Sequence, residues 1–142
     1  MIPDDRTYTP THEWVKIDVE VVRMGVTAPL LEQLGPLVSV ELPRPNDEMK
    51  LDIAIGTVES DNEVHDIMPP ADAAVLEVNT GLEWDLDKLA EDPYGEGWMM
   101  KIKVHEPDQL RDLLTPEAYS SYCEELWGKE VDADIKEIES EQ

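Results

Sequence analysis

The sequence has a single cysteine, Cys123, and no long apolar run. One thiol cannot form an intramolecular disulfide, so the chain would gain nothing from an oxidising compartment. No stretch of about 18 apolar residues is present, and residues 1–6 lack the apolar segment of a signal peptide. These absences predict a soluble, cytoplasmic protein, in which Cys123 is a small buried side chain rather than a nucleophile.

Basic residues are also scarce. The 142 residues include 11 lysines and arginines against 34 aspartates and glutamates, which gives a formal net charge of −23. Nucleic acids and anionic membranes would repel such a surface, so we expect neither as a partner. Two roles fit this acidity: steering towards basic protein surfaces, or solubility alone.

Signatures of catalysis are missing as well. The sequence contains no G-x-S-x-G, H-E-x-x-H, P-loop or paired-cysteine motif. Its three histidines, His12, His65 and His105, lie far apart along the chain. An enzyme is therefore the least favoured class, and no catalytic residue is assigned.

Alternating and β-branched runs dominate what is present, and they predict a mainly β fold with short helices. The chain has the usual size of one domain. We expect an N-terminal arm at residues 1–7, a domain at 8–127 and an acidic tail at 128–142. The predicted strands lie at residues 12–17, 19–26, 36–42, 49–55, 71–79 and 92–103 (the last two after a turn), and the predicted helices at residues 28–34, 85–90, 108–114 and 116–127.

Local signals mark where these helices begin and end. Thr27 and Thr115 are each followed by proline in the first helical turn, which is typical of an N-cap. Gly35 is a stop signal. Asp85 is expected to cap the helix at 85–90 in the same way.

A tight hairpin is predicted at residues 56–70, with Glu59 and Ser60 leading into a polar bend at Asp61, Asn62 and Glu63. Carboxylates and an imidazole gather there, because His65 follows closely, and such groups can bind divalent ions. Solvated turn charges are the favoured interpretation, and no metal site is predicted.

Three segments carry a resemblance to a known family. These are Y-T-P-T-H-E-W-V at residues 8–15, G-T-V-E-S with D-I-M-P-P at residues 56–70, and D-P-Y-G-E-G-W-M-M-K-I-K at residues 92–103. Together they resemble the lipoyl-bearing H protein of the glycine cleavage system, over about residues 8–126. The resemblance implies a flattened antiparallel β-barrel or sandwich with short helices and a C-terminal helix.

The family's hairpin reads E-S-V-K-A, and its lysine carries lipoate. Here Asn62 takes the place of that lysine, between Asp61 and Glu63. An asparagine amide nitrogen is not nucleophilic, because its lone pair is delocalised into the carbonyl. We therefore expect no lipoate and no other cofactor at this turn. Rescue by Lys50, which lies well before the turn, is not expected.

Two further positions follow from the resemblance. Glu13 matches a cleft residue that can receive the amine carried by the family's loaded arm. Val19 replaces the glycine usual in the turn after the first strand, so either the turn differs or that strand runs further. Asn46 also replaces a glycine, and asparagine tolerates the left-handed conformation.

The resemblance implies a carrier that passes an aminomethyl group from glycine decarboxylase to aminomethyltransferase, and electrons to dihydrolipoamide dehydrogenase. With Asn62 at the turn, the favoured interpretation is a binding or scaffold module that docks on these enzymes or on lipoate-handling enzymes. The alternative is a carrier of this or another lipoate-dependent pathway whose cargo is handled elsewhere.

Overall fold

The structure is a computed structural model and describes residues 2–19 and 21–128. Most of the predicted acidic tail therefore lies outside the described residues. In the described part of the chain, the elements in order are β1 (Thr7–Tyr8), β2 (Glu13–Asp18), β3 (Val21–Val26), α1 (Ala28–Leu34), β4 (Leu37–Glu41), β5 (Glu48–Met49), β6 (Gly56–Ser60), β7 (Val64–Ile67), β8 (Ala73–Val78), a 3₁₀ turn (Thr80–Glu83), α2 (Leu86–Glu91), β9 (Met100–Val104), a second 3₁₀ turn (Pro107–Leu110) and α3 (Pro116–Trp127).

The strands form two antiparallel sheets. The larger sheet has the order β1-β2-β3-β9-β8-β5, and the smaller has the order β4-β6-β7. Apolar side chains from both sheets pack into one core, among them Met24 and Ile102 from the larger sheet and Val58 and Ile67 from the smaller. The predicted mainly β architecture with short helices is confirmed.

Helix α1 begins and ends where the sequence predicted. The Thr27 hydroxyl accepts a hydrogen bond from the Leu30 N–H at 3.4 Å. Gly35 ends the helix at a φ of 83°, a conformation that glycine adopts without steric cost. Leu30 and Leu34 are buried in the core, so the helix packs its apolar face onto the sheets.

Helix α3 is also confirmed, with its predicted N-cap. The Thr115 hydroxyl accepts from the Ala118 N–H at 3.1 Å. Cys123 is fully buried, as expected, and burial raises the pKa of its thiol. Asp85 makes no side-chain hydrogen bond to the start of α2, so that predicted cap is wrong. Within residues 2–19 and 21–128, no helix is long and apolar enough to span a bilayer.

The N-terminal segment is less free than predicted. Thr7, which was expected to belong to the arm at residues 1–7, pairs with Val15, and Tyr8 pairs with Trp14, so that the two form an edge strand. Tyr8 is fully buried and stacks on Tyr119, with ring centroids 4.7 Å apart. Burial of this aromatic ring anchors the segment, so the expectation of a loose arm is wrong here.

Two other predicted elements are shorter or different. Residues 49–55 were expected to be one strand, but β5 ends at Met49 and Asp52 has a φ of 70°. A left-handed residue interrupts an extended strand, and the Ile53 N–H closes a turn onto the Lys50 carbonyl at 3.1 Å. The helix expected at residues 108–114 is a single 3₁₀ turn instead.

Asn46 and Val19, the two positions where the resemblance implies a glycine, both have a positive φ, but the steric cost differs. Asn46 has a φ of 77°, as its tolerance of the left-handed region predicted. Val19 also lies in that region, at a φ of 49°, and β2 ends before it at Asp18, so the first strand does not run on. A β-branched side chain is disfavoured there, which makes this turn strained.

Candidate functional site

The turn of the β6–β7 hairpin is a two-residue bend held by Ser60. The Ser60 N–H donates to the Glu63 carbonyl at 2.9 Å. Its buried hydroxyl accepts from the N–H groups of Asn62 and Glu63, each at 3.2 Å. Asp61, Asn62 and Glu63 are exposed. Ser60 thus holds the N–H groups of Asn62 and Glu63, while the side chains of Asp61, Asn62 and Glu63 face solvent.

The bend also rests against the end of α1. The Asp61 N–H lies 3.4 Å from the Pro36 carbonyl, in a hydrogen bond. The side chain of Asn62 also lies close to Gly35. A Cβ placed on that glycine would be 3.7 Å from the Asn62 side-chain nitrogen, which is an ordinary contact distance. Glu59 does not join the bend, because its carboxyl accepts from the Ser39 hydroxyl at 3.1 Å across the smaller sheet.

The chemistry of this bend does not fit a lipoyl group. Lipoate would be attached through an amide bond to an amine, and Asn62 offers a carboxamide with no nucleophilic nitrogen. No lysine occurs between Lys50 and Lys88 in the sequence. Lys50 itself belongs to a separate turn after β5. The hairpin therefore offers no lysine amine to which lipoate could be joined through an amide bond.

Behind the hairpin, Glu13 is fully buried and hydrogen-bonded through both carboxyl oxygens. The hydroxyls of Thr9 and Thr11 donate to one oxygen, each at 2.5 Å, and the Met68 N–H donates to the other at 3.0 Å. Glu13 was expected to be able to receive an amine in a cleft. In this structure it is a fastening between β2 and the end of β7, closed to solvent, and its role towards an amine stays a prediction.

Two histidines, His65 and His12, also lie near this contact between β2 and the end of β7. The His65 ring nitrogen Nε2 lies 3.1 Å from the Thr11 carbonyl and 3.9 Å from the Glu13 carboxyl. His65 therefore turns towards residues 11–13 and away from Asp61 at the bend. Among residues 2–19 and 21–128, no three His, Cys, Asp or Glu side chains are placed to hold a metal ion.

His12 is buried in an aromatic cluster and has a φ of 76°. Its ring stacks on Trp127, with centroids 4.7 Å apart, and its Nδ1 lies 2.8 Å from the Tyr119 hydroxyl. Burial lowers the pKa of His12 to about 4, and the nearby His65 contributes in the same direction. This cluster joins α3 to the start of β2.

Sequence reasoning missed the partners of Glu13. Thr9 and Thr11 lie four and two residues before it, so their closeness was an available signal. Met68 is 55 residues away, and nothing local indicates that its N–H reaches the carboxyl. The role of Glu13 as a fastening could therefore be recognised only from the arrangement of the two sheets in the structure.

Two antiparallel sheets around one core, with an exposed bend at the end of a hairpin, define a small β domain of the lipoyl type. The family model for the glycine cleavage H-protein matches residues 6–126. The chain belongs to this family.

Relatives and a solved structure agree with this assignment. A glycine cleavage system H protein of Rubrobacter xylanophilus is 42% identical over 124 residues, which is 87% of this chain and 96% of that protein. The mitochondrial H protein of Pisum sativum is 40% identical, with 86% and 74% covered. The crystal structure of the H protein from Mycobacterium marinum superposes with a TM-score of 0.78, at 36% identity, covering 84% and 97%.

Proposed function

We propose that this chain is an H-protein homologue that carries no lipoate and acts as a non-catalytic binding or scaffold module. Its partners would be glycine decarboxylase, aminomethyltransferase, dihydrolipoamide dehydrogenase or the enzymes that handle lipoate. One observation carries the proposal: an exposed, well-formed hairpin bend presents Asn62 where an amine would be needed.

The neighbours of Asn62 support the same interpretation. Asp61 and Glu63 place two carboxyl groups beside it on the exposed bend. Meanwhile the bend keeps its hydrogen bonds through Ser60 and its contact with the end of α1. Partner enzymes that recognise the shape of this hairpin would therefore still bind it, although the bend offers no amine for the attachment of lipoate. The acidic bend also favours basic partner surfaces.

The first test is the intact mass of the protein after incubation with a lipoate ligase, lipoate and ATP. The natural chain should keep its mass. A matched variant with Asp61→Val, Asn62→Lys and Glu63→Ala should gain one lipoyl group, because the hairpin frame is retained. A lipoyl group on the natural chain, located by peptide mapping at Lys50 or elsewhere, would support the alternative of a carrier and overturn the proposal.

The second test concerns docking. The natural chain should bind at least one of the three partner enzymes and should slow glycine cleavage when added in excess over a lipoylated H protein. The lipoylated triple variant serves as the matched control, since it should bind the same enzyme and support turnover. Absence of binding to all three enzymes and to lipoate ligase would contradict the scaffold role.

A further inference from the structure

An apolar groove opens at the end of the larger sheet that lies away from the hairpin bend. Strand β3 runs from this groove, at Val21, to Val26 just before α1, a span of about 17 Å at the usual rise of a strand. The groove has a volume of about 570 Å³. Its walls are aliphatic side chains of β2, β3, β8 and β9 together with the turn at Pro107–Leu110, and Lys103 is the single charged residue among the lining residues that the structure describes.

Three of the lining side chains are unusually open to solvent for their type. Ile17 is 60% exposed, Val19 is 96% exposed and Leu76 is 46% exposed. Scattered apolar residues on a surface are normal, but these three line one groove on a chain with a net charge of −23. A shared apolar surface of this kind is typical of a site that another molecule covers.

Val19 gives an independent reason to look for a ligand. It adopts a left-handed conformation that glycine or asparagine would adopt at less cost. Its side chain is almost fully exposed, so packing against the described residues does little to offset this cost. Valine therefore suits neither the turn nor the core. A contact with another molecule is the remaining way in which this side chain would be useful.

The charges around the groove indicate what the other molecule carries. Two acids beside the groove are paired with other residues, Asp18 with Arg23 at 3.0 Å and Glu77 with Lys101 at 3.2 Å. Lys103 makes no ion pair or side-chain hydrogen bond with any residue in the described part of the chain. Within the described residues, the groove thus combines an apolar wall with one cation that has no ion-pair partner.

A second copy of this chain is a poor occupant. Two molecules of net charge −23 repel each other, and a two-fold contact would need the groove to complement itself. Among residues 2–19 and 21–128, no acidic residue lines the groove to face the other copy's Lys103. We propose instead that the groove docks a short segment of a different protein that has apolar side chains and a carboxylate positioned to pair with Lys103.

A displayed library of random short peptides, panned on the purified natural chain, tests this proposal with a defined probe. The enriched peptides should combine apolar residues with Asp or Glu. The best of them is then synthesised and titrated against four variants. Val19→Asn and Lys103→Gln should each weaken binding about tenfold. Val38→Asn and Lys88→Gln, which change an exposed valine and lysine outside the groove, should leave it unchanged.

Val19→Asn also separates docking from folding, because asparagine suits the left-handed turn. Its thermal midpoint should rise while peptide affinity falls, a pair of results that a purely structural role for Val19 would not give. Enriched peptides that are basic or without apolar residues would overturn the proposal, as would undiminished binding to Val19→Asn. A dimer of the natural chain in sedimentation that Val19→Asn dissociates would overturn it in favour of a second copy. None of these outcomes depends on lipoylation of the hairpin.

Discussion

The hairpin bend and the segment that fastens it differ in what their side chains do. At the bend, the backbone is satisfied by Ser60 and the side chain of Asn62 faces solvent. Behind it, Glu13 is fully buried and receives three hydrogen bonds, of which the one from the Met68 N–H joins β2 of the larger sheet to the end of β7 in the smaller. The residue that decides the chemistry therefore holds little of the fold together, so the frame can persist after the amine is lost.

Removing the fastening should have the largest effect on stability. Glu13→Ala leaves the Met68 N–H and the two threonine hydroxyls without their acceptor, so the free energy of unfolding should fall by about 3 kcal/mol in urea titrations. Glu32→Ala on the exposed side of α1 is the matched control and should change it by less than about 0.5 kcal/mol. Equal losses of unfolding free energy in the two variants would show that the buried carboxyl group of Glu13 stabilises the fold no more than an exposed one does.

The His12 cluster should make this same junction sensitive to acid. Because burial lowers the pKa of His12 from 6.5 to about 4, the unfolded chain takes up a proton at a higher pH than the folded chain does. The contribution that neutral, buried His12 makes to the free energy of unfolding is fully present above pH 6.5 and is lost as the pH falls towards 4. Its size is about 3 kcal/mol.

His12→Asn provides the reference for this measurement, since asparagine tolerates the positive φ at that position. Unfolding free energies of both proteins are measured from pH 7.5 to pH 4. The difference between them should narrow across that window, whereas the titration of the many carboxyl groups is common to both. A constant difference would show that His12 does not retain a lowered pKa in solution.

The smallest effect is expected at the bend itself. Asn62→Lys should change the free energy of unfolding by less than about 0.5 kcal/mol, because the Asn62 side chain is exposed and only its backbone N–H bonds to Ser60. Urea titration beside Glu13→Ala gives the direct contrast. A loss as large as that of Glu13→Ala would mean that the bend depends on the asparagine side chain and that the contrast between bend and fastening does not hold.

Local signals in the sequence predicted the parts of the fold that depend on neighbouring residues. Thr27, Gly35 and Thr115 act through hydrogen bonds or dihedral angles within one turn of helix, so their roles were predicted correctly. The same reasoning failed at Asp85, where the cap position is occupied but the side chain makes no cap hydrogen bond.

Features that depend on distant residues were beyond the sequence. Tyr8 belongs to a two-residue strand whose stability comes from pairing with Trp14 and stacking on Tyr119 of α3. The strand expected at residues 49–55 failed because Asp52 adopts a left-handed conformation that its residue type does not require. At the hairpin, by contrast, the sequence motif alone indicated an exposed bend at Asn62, and the structure has one there.

The most direct test of the proposed loss of lipoylation is the intact mass of this protein isolated from the cells that produce it, together with peptide mapping of its lysines. We predict that the protein has the mass of the unmodified chain and that the peptide containing Asn62 carries no modification. A covalently attached lipoyl group on any residue would contradict the proposal.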